Sequence, residues 1–193
     1  MTRSTLIIGM LAIALVAGAC DDNNTTTPNN PSSPTSPTSP TTPPSTVVFT
    51  AQLAASNEVP PVSNADANGK GTATITIHAM RDGSGAITSG STVDFAVTLS
   101  GFPAGTVLTA AHIHPGATGT TGGVAVSTGL AAGEVTLADG TGSFTKTGLQ
   151  INASDATAII ANPSAFYFNV HTQLNPGGAA RGQLVQTSAS AVY

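Results

Sequence analysis

The 193-residue chain has one cysteine, no tryptophan and 7 % charged residues. The lone Cys20 excludes an intramolecular disulfide, so stability must come from an apolar core and paired backbone. Charge is far below the roughly 25 % usual for soluble domains, which leaves Thr, Ser, Asn and Gly to coat the surface. Five Lys and Arg stand against nine acids, for a net charge of −4. Without a basic stripe, no nucleic-acid partner is expected. Catalytic signatures are missing too. There is no Ser-His-Asp order, no G-x-S-x-G elbow and no nucleophilic cysteine. The loop Gly119-Thr120-Thr121-Gly122-Gly123 lacks the Lys and following helix of a phosphate loop. A glycosidase needs two facing carboxylates. Glu58 is a candidate acid, but Asp66, Asp82, Asp94, Glu134, Asp139 and Asp155 read as turn or surface residues. The chain is therefore expected not to be an enzyme.

What is present first is an address. Arg3 precedes an apolar run over residues 6–17, then Ala17-Gly18-Ala19 and Cys20. A basic start, an apolar segment and small residues describe a secretory signal over residues 1–19. The run is short for a membrane span. Ala17 to Cys20 resembles a bacterial lipobox, although Leu is usual where Ala17 stands. The resemblance implies acylation of Cys20 and a lipid-anchored protein of the cell envelope, facing the periplasm or the cell surface. Residues 20–45 hold the lipidated cysteine and a Pro/Thr/Ser-rich linker with no apolar residues to build a core. Fully extended, that linker reaches about 75 Å.

From residue 46 the pattern changes to period two. Val47, Phe49, Ala51 and Leu53 alternate with Val48, Thr50 and Gln52. Ala73, Ile75 and Ile77 alternate with threonines, which puts His78 on the threonine side towards water. Val93, Phe95, Val97 and Leu99 repeat the signal. Over residues 106–114 the same rule sets Leu108, Ala110, His112 and His114 on one face and Val107, Thr109, Ala111 and Ile113 on the other. Short strands are expected over 124–128, 133–138 and 141–147. A helix is expected over 154–161 with Ser154 as N-cap. In residues 166–172, Phe166, Phe168 and Val170 oppose Tyr167, Asn169 and His171. Asn175-Pro176-Gly177-Gly178 makes a hairpin turn before a last strand over 180–186. The pattern predicts an all-β fold: an antiparallel, Greek-key-like β-sandwich or barrel of about eight strands with one short helix. Its expected bounds are 46–187, followed by a frayed tail over 188–193.

Three motifs resemble the CHRD domain, the module named after chordin. They are Phe49-Thr50-Ala51-Gln52-Leu53 with Asn57-Glu58-Val59-Pro60-Pro61; Ala111-His112-Ile113-His114-Pro115-Gly116; and Phe166-Tyr167-Phe168-Asn169-Val170-His171-Thr172 with Asn175-Pro176-Gly177-Gly178 and Arg181-Gly182-Gln183-Leu184. They run in the family's order from 47 to 185. One departure is Ala179-Ala180, where the family usually has an acid and a large aliphatic residue. The resemblance implies a secreted or envelope module whose ligand is an extracytoplasmic protein or glycan. It implies no catalytic residues.

The histidines carry the concentrated chemistry. Imidazoles two apart on a strand project together, so His112 and His114, joined by His171, form a candidate mononuclear copper or zinc set. Tyr167 and Asn169 share the His171 face and are candidate outer partners. The alternative is a structural network in which neutral imidazoles tie the 115–123 loop to its neighbours, needing no cofactor. Cu/Zn superoxide dismutase also has a His-x-His strand in a Greek-key sandwich. Its two-metal site needs more histidines than the four in this chain. Arg181 reads either as an anchor for an anionic ligand or as a buried fork serving backbone carbonyls or Glu58. Beside the histidines it would also lower their pKa.

Overall fold

A computed structural model describes residues 45–191. The expected signal peptide, the expected lipidation site Cys20 and the expected linker up to residue 44 lie outside the described residues, while Ser45, expected in the linker, begins β1. Strands β1 (Ser45–Ala54), β2 (Lys70–Ala79), β3 (Thr92–Ser100) and β4 (Thr106–Pro115) are followed by two-residue pieces β5 (Val126–Ser127) and β6 (Thr136–Leu137). Then come β7 (Gly142–Gln150), helix α1 (Ala153–Ala161), β8 (Phe166–Thr172), β9 (Ala180–Gln183) and β10 (Val185–Ala191).

One curled antiparallel sheet holds all ten strands, in the order β5-β4-β8-β9-β1-β2-β3-β7, with β6 beside β4 and β10 beside β1. The all-β expectation holds. Connectivity is non-local: β4 leaves β3 for the far wing, and β7 returns to pair with β3. Curling closes the wings onto a shared core. Phe95 on β3 meets Phe168 on β8 with ring centroids 5.7 Å apart. Phe49, Ile75, Ile77 and Ile113 are fully buried between them. Period two produced this interior: on β1, β2 and β3 each alternate apolar residue is buried and each intervening Thr, Gln or Asp reaches the surface.

Three expectations need correction. First, β4 carries a register shift between Leu108 and Ala110 where it meets β8. One extra residue swaps the faces, so Leu108 is buried with Ala111 and Ile113 rather than sharing the histidine face. Second, the helix begins at Ala153, with Asn152 in the N-cap position and Ser154 inside the first turn. The Asn152 amide donates to Asp155 Oδ2 at 3.2 Å and so occupies the start. Third, the tail expected to fray from 188 continues as β10, with Ser188, Ala189, Ser190 and Ala191 opposite Val48, Val47, Thr46 and Ser45. Its small polar residues gave no burial signal. The open edge of β1 supplies their backbone partners.

Two glycines of the closing motif are fixed by contact. A side chain at Gly182 would collide with the Gln52 backbone on β1. At Gly178, φ is +140°, and a Cβ would stand 2.7 Å from both Asn169 Nδ2 and Glu58 Oε2. Gly178→Ala should therefore destabilise the fold by about 1–3 kcal/mol. A chemical-denaturation midpoint equal to that of the parent would show the turn to be slack.

Candidate metal centre

The histidines sit where β4 lies against β8. His112 faces Asn169 and His114 faces Tyr167 in the register, and His171 lies two residues further along β8. Both strands turn Phe168, Val170, Ala111 and Ile113 into the core. Alternation therefore sends all three imidazoles to the opposite face. One ligating atom from each lies within 4.8 Å of the others.

The hydrogen bonds assign the ring protons. A carbonyl only accepts, so a ring nitrogen bonded to one must carry the proton. His114 Nδ1–H donates to Gly122 O and Gly123 O at 3.1 and 3.0 Å. His171 Nδ1–H donates to Pro176 O at 3.0 Å. Both rings therefore present a bare Nε2. His114 Nε2 is buried without any partner, a lone pair left unpaired in the interior. His112 Nδ1 lies 3.3 Å from His171 Nε2 and, without metal, donates to it. Two nitrogens bound about 2.0–2.1 Å from one tetrahedral ion stand roughly 3.3–3.4 Å apart. That pair is already at ligand spacing. Moving the His112 proton from Nδ1 to Nε2 would complete a set of one Nδ1 and two Nε2 donors with no net proton release.

The environment favours the neutral form of His112 and His171. Burial pushes His112 down to about 4, helped by His171 and His114. Burial also lowers His171, against the opposing bond to Pro176. These causes are burial and neighbouring imidazoles, not Arg181 as the sequence suggested.

A stack holds the centre from behind. The Tyr167 ring lies flat on His114, centroids 5.0 Å apart and planes 10° apart. Its hydroxyl accepts from Gly122 N–H at 3.4 Å. The Arg181 guanidinium caps the other face of this tyrosine, 4.4 Å from its centroid. Arg181 is 2 % exposed. It donates Nε–H to Asn57 O at 2.7 Å and Nη1–H to Thr120 O at 2.8 Å. The buried guanidinium thus serves two backbone carbonyls and fastens the glycine loop. The structural role and the metal role do not compete: in His114 one nitrogen serves the loop and the other remains free.

Glu58, buried, lies with Arg181 in the wall of a cleft of about 600 Å³ with Asn57, Thr118 and Gln183. Burial raises its carboxyl to about 7, with Arg181 pulling the other way. Its Oε1 has no hydrogen-bond partner, and neither has buried Asn169 Oδ1. Asn169 thus shares the histidine face without bonding to a histidine. His78, the fourth histidine, is away from the cluster and pairs with Asp94 on β3 at 2.9 Å.

Asp66, expected in a turn or at the surface, lies in the short 3-10 turn Ala65–Asn68 but is only 1 % exposed. It accepts from Thr172 Oγ1 at 2.7 Å and Asn175 Nδ2 at 2.6 Å. It thereby clasps the turn whose Pro176 carbonyl orients His171. The only local signal was Asn64-x-Asp66, whose Asx turn runs through Asp66 N–H and Asn64 Oδ1. Gln183, which the sequence gives no role beyond its place in the closing motif, ties three carbonyls together. Its amide donates to Gly116 O, Ser164 O and Phe166 O.

Fold and site together define an all-β module with a buried three-histidine cluster at one sheet face. A family model of the CHRD domain matches residues 49–184, and the chain belongs to that family. No curated protein and no solved structure gives a significant match.

Proposed function

We propose that this protein is a lipid-anchored envelope protein whose CHRD domain is a non-catalytic binding module holding one zinc or copper ion at His112, His114 and His171. CHRD is a non-enzymatic domain family. The observation that carries the metal reading is the pair of Nδ1–H bonds to carbonyls, which aim two bare Nε2 atoms into one cluster. Metal-bound histidines are commonly fixed this way by their second nitrogen. Imidazole donors suit zinc and copper. A two-metal dismutase remains disfavoured, because His78 is engaged elsewhere.

The anchor reading rests on Cys20, the apolar run before it and the linker after it. Cys20→Ser should abolish labelling by radioactive palmitate in a bacterial host and release the protein from the membrane pellet. Continued labelling of that variant would remove the lipoprotein reading. The partner is an extracytoplasmic protein or glycan, and full-length protein on beads tests for one.

A further inference from the structure

We infer that the ion at this centre keeps one coordination position open, and that the position takes a histidine or carboxylate side chain of a partner protein. The inference rests on the metal reading above. Among the described residues the cluster supplies three ligating groups and no fourth. A closed structural zinc site has four, so the remaining donor comes from outside the cluster.

The geometry says which side is open. His114 and His171 are each 7 % exposed. His112 is half-buried and forms the solvent side of the cluster. The loop over residues 117–124, which packs against His114, is exposed throughout and carries no charged, histidine or cysteine side chain. The Thr120 hydroxyl there already donates to Ala117 O at 2.8 Å. The outer edge of β4 pairs with β5 opposite His112 and Ile113 and with β6 opposite Thr106 and Val107. Nothing in the loop competes for the ion.

The choice of donor follows from what the surface lacks. Binding hot spots are usually aromatic or arginine side chains. Among the described residues the large exposed apolar side chains are Val59, Val124, Leu174 and Val185, none of them aromatic; Arg181 is buried, and the half-buried Arg81 already donates to Ser45 Oγ and Gly85 O. A bound dication would then be a concentrated charge on a neutral Gly/Thr face. Imidazole suits both zinc and copper, and zinc also takes Asp or Glu oxygen.

The test uses the full chain loaded with Co(II), whose visible bands report its coordination. The probes are N-acetylhistidine amide and N-acetylaspartate amide, with N-acetylalanine amide as control. At one Co(II) per chain, one or both donor amides should shift the bands saturably, with the ion retained after gel filtration. The alanine amide should do nothing. If Co(II) stays bound but neither donor moves the bands, the open position is refuted while the metal reading survives. If folded protein retains no Co(II), Zn(II) or Cu(II), both fail together.

Discussion

Full-length protein dialysed against zinc should retain about one equivalent, and His171→Ala should lower its affinity by more than about 100-fold. Removing a partner that merely orients a ligand costs about 10–100-fold, and a lost ligand costs more. His171 is the sharper choice because its Nε2 lies 3.3 Å from His112 Nδ1, so both the direct bond and the spacing vanish together. Tyr167→Phe gives a graded control. It keeps the stack on His114 but removes the hydroxyl that accepts from Gly122 N–H at 3.4 Å. The Tyr167→Phe protein should bind zinc more weakly than the parent and more tightly than His171→Ala. Unchanged affinity in a folded His171→Ala protein would place any bound zinc elsewhere.

The second large effect is pH-dependent. Arg181→Ala should destabilise the fold by about 3–5 kcal/mol at pH 8 and by clearly less at pH 5. At either pH the variant loses two bonds to carbonyls and the contact with Tyr167. The difference comes from Glu58, whose carboxyl burial raises from 4.5 to about 7 while Arg181 pulls it down. Between those values the folded state keeps the proton and the unfolded state has released it. Stability therefore falls as pH rises through that window, by about 1.4 kcal/mol per unit. Taking Arg181 away raises the folded value further, extending the loss above 7. At pH 5 Glu58 is neutral in the folded state with or without the arginine. Glu58→Gln in the Arg181→Ala background should remove the extra loss at pH 8. Equal destabilisation at the two pH values would mean that Glu58 does not feel Arg181.

Much of the site was legible because β-strands have a simple period. His112, His114 and His171 lie at strand positions whose neighbours are unmistakably core residues. Their shared face followed from counting by two, and so did the membership of Tyr167 and Asn169. The same rule failed at Leu108, since a bulge inserts a residue without leaving a mark in the pattern. It failed again over residues 188–191, which are held by the backbone of β1, and the exposed side chains of 188–190 leave no burial pattern to reveal it. The burial of Asp66 is hidden in the sequence, because an aspartate in a polar turn looks solvated until Thr172 and Asn175, over a hundred residues away, close on it.

The sequence by itself determined the all-β class, the strands that form the core and the face on which the imidazoles sit, because alternation is a local property of each strand. Only the tertiary structure decided which carbonyl meets which ring nitrogen, and therefore which lone pairs are free. Those contacts join β4, the glycine loop and the β8–β9 turn, and no local pattern encodes how the curl of a sheet brings such distant segments together.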